Sequence, residues 1–267
     1  MAEAGGTDGE VVTAALLVIG DEILSGRTKD RNIGYIAEYL TELGIDLREV
    51  RIVGDEPEAI IEAVNALRAR YTHVLTTGGI GPTHDDRTAD SIASAFGVPI
   101  DVDPRARAIL EAHYPPGQLT AARLRMARIP EGAELVENPI SKAPGFSIGN
   151  VHVMAGVPSI MQAMLDSLAP RLSRGRKMLS ETVEAGLPEG VVAEPLAEVQ
   201  KAHPGVAIGS YPYFDGTRFT TRIVCRARDR ERLEAARHAV EAMLETLRRA
   251  ATGAVPSAAP TADREKR

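Results

Sequence analysis

The chain is predicted to be an α/β protein with a mostly parallel sheet, followed by a small α+β C-terminal domain. Three observations predict this. Short apolar runs such as Thr13–Ile19 and His73–Thr77 alternate with stretches whose apolar residues recur every three or four positions, the order expected of βαβ units. A glycine-rich turn follows the second run, where open α/β sheets keep their ligand loops. After residues 171–176 the order changes to strand, helix, strand, strand, helix, which is an α+β layer of its own.

In chain order, Thr13–Ile19 is a continuous apolar run that reads as a strand buried on both faces. Residues 20–26 leave it as a loop carrying Asp21, Glu22 and Ser25. Ile33, Ile36, Ala37, Leu40 and Leu43 share one helical face, and Gly44 ends that helix. Residues 47–53 form the next strand, and Ile60, Ile61, Val64 and Leu67 form the inner face of the helix after it. Residues 104–128 read as two short helices broken at Tyr114, Pro115, Pro116 and Gly117, and could cover the site; Leu124, Met126 and Ile129 read as packing residues. Three short strands follow at 133–136, 146–148 and 151–154, the last two turning at Gly149 and Asn150 into a hairpin. A helix facing inward through Ile160, Met161, Met164, Leu165, Leu168 and Leu172 closes the first domain, residues 13–173.

The second domain, 177–249, is predicted as strand 179–185, helix 191–202, strands 206–210 and 218–226, and a long helix 229–249. Gly209 to Phe214 reads as a loop suited to ring stacking, subunit contact or plain turn packing. The ends, 1–12 and 250–267, have compositions expected of disorder.

Composition bounds the function. The chain has 267 residues, 44% hydrophobic and 25% charged, ordinary proportions for a globular protein. Its net charge is -6 and its basic residues are scattered, which argues against a nucleic-acid partner. Cys225, alone and in a β-like run, reads as a half-buried structural thiol with no disulfide or zinc partner. The N-terminus has no apolar core and no stretch reaches the about 18 apolar residues of a membrane span, so a cytoplasmic protein with no membrane partner is expected.

The chemistry is expected at residues 76–88. Gly78, Gly79 and Gly81 allow close backbone approach to an anion, and Pro82 and Thr83 lead to His84, Asp85 and Asp86 at a helix start. Paired carboxylates beside a phosphate cradle need a cation or a proton, so phosphate with a divalent metal is the natural reading. Asp21 and Glu22 leave the first strand toward the same edge. Asp55 has two readings: a helix cap with Glu58 three residues on, or a ligand-facing acid at a strand end. Gly156 is a turn or a second phosphate contact.

Residues 20–26, 53–56, 77–88, Asn138 with Pro139, 143–146 and 156–158 resemble the molybdopterin-binding family of MoaB and Mog type. The resemblance is closer to the N-terminal domains of CinA proteins and of eukaryotic FAD synthases. It covers about residues 13–173, with 209–212 extending it into the smaller domain. It implies a three-layer αβα domain that binds a phosphorylated pterin or nucleotide at the carboxyl edge of its sheet. In the adenylyltransferase branch, acids matching Asp55 and Asp86 serve ligand and metal; in the CinA-like branch the pocket is associated with metal-dependent hydrolysis of pyrophosphates such as ADP-ribose or FAD. Departures are His84, where CinA members often carry Lys, and Ala155 and Ser141 in the later loops.

The expectation is therefore a divalent-metal-dependent pyrophosphatase. Asp86, Asp85 and His84 are the expected catalytic residues, and Asp86, Asp85 and Asp55 the metal ligands (Mg, Mn or Co, with K as a further candidate). Gly78, Gly79, Gly81, Thr83, Asp21, Glu22, Ser25, Asp55 and Gly156 are the expected ligand contacts. His84 is a proton donor to the leaving phosphate or a phosphate hydrogen-bonder. The alternatives are a non-catalytic molybdopterin-binding protein and a molybdopterin adenylyltransferase. A homo-oligomer, dimer or trimer, is expected, without the amidase of longer CinA proteins or a fused FAD synthase catalytic domain.

Overall fold

A computed structural model describes residues 11–253, and the chain divides into two compact units after Lys177. The first contains β1 (Thr13–Ile19), α1 (Asp21–Leu24), α2 (Asn32–Glu42), β2 (Asp46–Val53), α3 (Pro57–Arg68), β3 (His73–Thr77), α4 (Thr88–Phe96) and β4 (Ile100–Val102). It continues with α5 (Pro104–His113), α6 (Ala121–Leu124), β5 (Arg128–Pro130), β6 (Glu134–Val136), β7 (Gly145–Ile148), β8 (Val151–Met154) and α7 (Pro158–Leu168).

The main sheet has the order β2-β1-β3-β8-β7-β6. Its first four strands are parallel; β7 runs antiparallel to β8, joined to it by the expected hairpin, and β6 runs antiparallel to β7. Strand β1 shows why the sheet is covered on both sides. Ala15, Leu17 and Ile19 pack with Ile60, Val64 and Leu67 of α3, Ile92 of α4 and Leu110 of α5. Ala14, Leu16 and Val18 pack on the other face with Ile36 and Leu40 of α2 and Met161, Leu165 and Leu168 of α7. A period of two with no polar position leaves no face for water, and three layers result. Leu16 and Leu17 are both wholly buried, so truncating either to Ala would cost about 2–5 kcal/mol.

Helix starts follow local chemistry. Asp30 accepts from the N–H groups of Asn32 and Ile33 at the start of α2. Asp103 does the same for α5, with Pro104 in the first turn.

The second unit contains β9 (Leu179–Glu184), α8 (Glu189–Ala202), β10 (Ala207–Phe214), β11 (Phe219–Ala227) and α9 (Arg230–Gly253). Its antiparallel sheet runs β10-β11-β9 over a core of Val192, Ile223, Leu233, Ala236, Val240 and Leu244.

Several expectations are corrected. Residues 21–24 form a helical turn, not a loop. Gly209 to Phe214 lie inside β10, every residue paired with β11, because Tyr and Phe suit a strand and Pro212 sits on an edge. Val12, assigned to the disordered start, is buried and its carbonyl accepts from Asp46 N–H at 2.9 Å. Helix α9 runs on to Gly253. Cys225 is wholly buried, which pushes its thiol pKa up. The rest of the disorder expected at both ends lies outside the described residues. Among the described residues no helix is long and apolar enough to cross a membrane.

Candidate functional site

The carboxyl ends of the parallel strands are in register: Ile19 pairs with Val53, Val18 with Thr77, and Thr77 with Met154. The loops that follow therefore open on one edge. Backbone bonds from Gly20 N–H to Val53 O and from Gly78 N–H to Met154 O, both 3.1 Å, extend the ladder one step beyond the strands.

At this edge Asp21, Glu22, Asp55 and Asp85 line one open cleft of about 440 Å³ with Arg27 and Thr28. The helical turn after β1 and the loops after β2 and β3 thus bring four carboxylates together. Asp55 does not cap α3: that helix starts at Glu56 and Pro57 with no side-chain cap, and Asp55 Oδ2 instead accepts from Asp21 N–H at 3.1 Å. Burial pushes the Asp55 pKa up, the Asp21 N–H opposes it, and the negative charges of Asp21, Glu22 and Asp85 add to the rise. Asp85 is held below its ordinary value, chiefly by the Thr83 hydroxyl beside it. Ser25 does not line the cleft; its Oγ accepts from Arg27 Nε at 3.1 Å and so steadies a residue that does.

The paired aspartates diverge, Asp85 lining the acid cleft and Asp86 a different cavity. Asp86 turns away from the acid cleft, accepting from Thr83 N–H at 2.9 Å and from the Thr83 hydroxyl. It lines a different, small cavity with Gly79, Ile80, Gly81, Arg125, Arg128 and Phe146. Gly81 permits this: a Cβ there would lie 2.6 Å from Asp86 Oδ2. The Thr83 donors select the inward position for Asp86.

The glycines serve the strand ends as much as any ligand. Gly78 has φ +104° and a Cβ would stand 2.1 Å from Ile19 O. Its amide is engaged by Met154, so the expected phosphate contact through that N–H is corrected. Gly79 has φ +67° and lies against Thr88, whose hydroxyl donates to Gly78 O at 3.0 Å. Gly156 packs on Gly78 and its carbonyl accepts from Asn32 Nδ2 at 2.8 Å, the turn reading of that residue.

His84 is 94% exposed, with Nδ1 3.9 Å from Asp85 Oδ1. It opens on a third cleft with Arg87, Arg125 and Arg128. Sequence reasoning passed over these arginines, although Arg87 just before α4 is spaced with Ser91 and Ser94 along one helical face, and Arg125 and Arg128 end the 104–128 stretch expected to cover the site.

The donors fit a metal in kind. Carboxylate oxygens are the ligands that Mg²⁺ and Mn²⁺ prefer. Among the described residues no three His, Cys, Asp or Glu side chains form a ready cage. A small divalent ion usually takes one or two carboxylates and completes its shell with phosphate oxygens and water. The acid cleft thus suits an ion that arrives with a phosphorylated ligand.

Comparison with known proteins gives a match to the family described as "Probable molybdopterin binding domain" over residues 15–174, and to "FAD synthase, middle domain" over 177–249. A probable FAD synthase of Caenorhabditis briggsae is 29% identical over 262 residues, 88% of this chain and 50% of that protein. A CinA-like protein of Desulfosudis oleivorans is 36% identical over 209 residues, 73% of this chain and 51% of that one. The chain spans about half the length of these two relatives. The crystal structure of CinA, of unknown function, from Thermoplasma acidophilum is 33% identical, with a TM-score of 0.57 over 60% of this chain and 98% of that one.

Proposed function

The chain belongs to the molybdopterin-binding domain family, and from that premise we propose that it hydrolyses a dinucleotide pyrophosphate of ADP-ribose or FAD type with a divalent ion. The observation that carries the reading is the convergence of Asp21, Glu22, Asp55 and Asp85 on one cleft, with Asp55 raised by burial and by its acidic neighbours. Only a cation or a proton relieves such crowding, and a cation also draws in the phosphates.

Asp55 and Asp85, from loops on either side of β1, would hold the ion. Bound there, it supplies charge neutralisation and a water of lowered pKa. Asp21 and Glu22, exposed at the lip, would orient an attacking water and take up its proton. Water adds to one phosphorus, the bridging P–O bond breaks, and two monophosphates leave. His84 hydrogen-bonds a phosphate oxygen. The relative named a probable FAD synthase supports a flavin dinucleotide as ligand.

The test incubates purified protein with Mg²⁺, Mn²⁺ or Co²⁺, with and without K⁺, against ADP-ribose, FAD, NAD and ATP, and reads products by mass spectrometry. Two monophosphates from one dinucleotide support the reading. Tight molybdopterin binding with no turnover replaces it by the non-catalytic one. The expected homo-oligomer is checked by sedimentation at micromolar concentration, where monomer alone would refute it.

A further inference from the structure

The third cleft is opposite in sign to the acid cleft. His84, Arg87, Asp90, Ser91, Arg125 and Arg128 line an open cleft of about 330 Å³, ample for a phosphate group. Arg128 is neutralised by a two-point ion pair with Asp90, both contacts 2.7 Å. Arg87 and Arg125 make no ion pair among the described residues. Arg125 Nε is moreover buried without a hydrogen-bond partner in the protein. A buried guanidinium donor left unpaired is costly, and such groups mark places where a ligand supplies the acceptor. The Ser91 and Ser94 hydroxyls donate to the carbonyls of Arg87 and Asp90, so the arginines, not these hydroxyls, are the cleft's donors to an anion. Arg125 and Arg128 also line the small cavity beside Gly79 and Gly81, so both cavities share these two arginines.

We propose that this cleft is an anion subsite taking a phosphate group of the ligand, with half-buried Arg125 as its anchor and exposed Arg87 at its mouth. The guanidinium fork matches two phosphate oxygens, as a lysine would not. It rests on the reading above only in that the ligand carries phosphate, and it needs neither metal nor turnover. A phosphate here and an ion at Asp55 and Asp85 would grip a pyrophosphate from both sides of the loop at 82–86.

Calorimetric titration of the full chain with inorganic pyrophosphate in the presence of EDTA tests it, thermal unfolding being recorded for each variant. The wild type binds, and binding weakens as salt rises. Arg125→Ala weakens it about 10- to 100-fold, and Arg87→Ala by less. Arg125→Lys recovers part of the loss. Arg107→Ala, which removes an equal charge from the exposed side of α5, has no effect. Undetectable binding by the wild type, or equal affinity in folded Arg125→Ala or Arg125→Lys, would overturn the proposal. Metal-dependent turnover is scored separately, so a failed hydrolase reading leaves a distinct record.

Discussion

Asp55 Oδ2 accepts a hydrogen bond from the Asp21 N–H at 3.1 Å, tying the end of β2 to the end of β1. The same bond holds the Asp55 carboxylate among three other acids.

Asp55→Asn keeps the acceptor for Asp21 and removes the charge. A carboxyl whose folded pKa is raised costs no stability below its unfolded value and an increasing amount as pH rises through the folded value. The metal-free Asn variant should therefore melt higher than wild type at pH 7.5, with the gap closing toward pH 3.5. A lower melting temperature at pH 7.5 would show that the carboxylates do not strain the fold.

Gly78→Ala tests the strand-end junction. With φ +104° and Ile19 O 2.1 Å from the new Cβ, the backbone must move, at a cost of about 3 kcal/mol or more. Gly132→Ala, at φ +79° with nothing within 4 Å, should cost about 1 kcal/mol. Urea unfolding of both separates strain with collision from strain alone; equal losses would refute the packing role of Gly78.

A buried polar chain crosses the opposite part of the sheet. Ser147 Oγ contacts His152 Nδ1 at 2.9 Å, His152 Nε2 meets His73 Nδ1 at 3.1 Å, and His73 Nε2 meets Ser173 Oγ at 2.8 Å. Burial lowers both histidine pKa values, that of His152 to about 3, with the charge of His73 adding to it. Bases depressed in the fold cost nothing above the unfolded pKa of about 6.5 and destabilise as pH falls below it. His152 alone should remove about 2 kcal/mol between pH 6.5 and pH 5. Urea midpoints across that range should fall steeply in wild type and less so in His152→Gln; parallel slopes would contradict the assignment.

Much of the fold was legible because burial on both faces leaves an unbroken apolar run. Strands β1 and β3 begin and end where the sequence changes character, at Thr13–Ile19 and His73–Thr77. Strand β10 was legible only as far as Ser210, because Pro212 interrupts the run and only pairing with β11 holds residues 211–214 extended. At the site, residue types were readable but directions were not. Asp55 carries a capping pattern that α3 does not use, and Asp85 and Asp86 look alike until the Thr83 donors draw one of them inward. Arg125 and Arg87 lie in different elements, and nothing local announces their shared cleft.

The most direct test of the acid cleft is the steady-state rate on ADP-ribose with Mn²⁺ for Asp55→Asn and Asp85→Asn beside wild type. Both variants should remain folded and lose about 100-fold or more in kcat/KM, with turnover that more Mn²⁺ partly restores in Asp85→Asn. Wild-type rates in both variants, while Asp86→Asn alone is inactive, would contradict the account and move the chemistry to the other side of the loop.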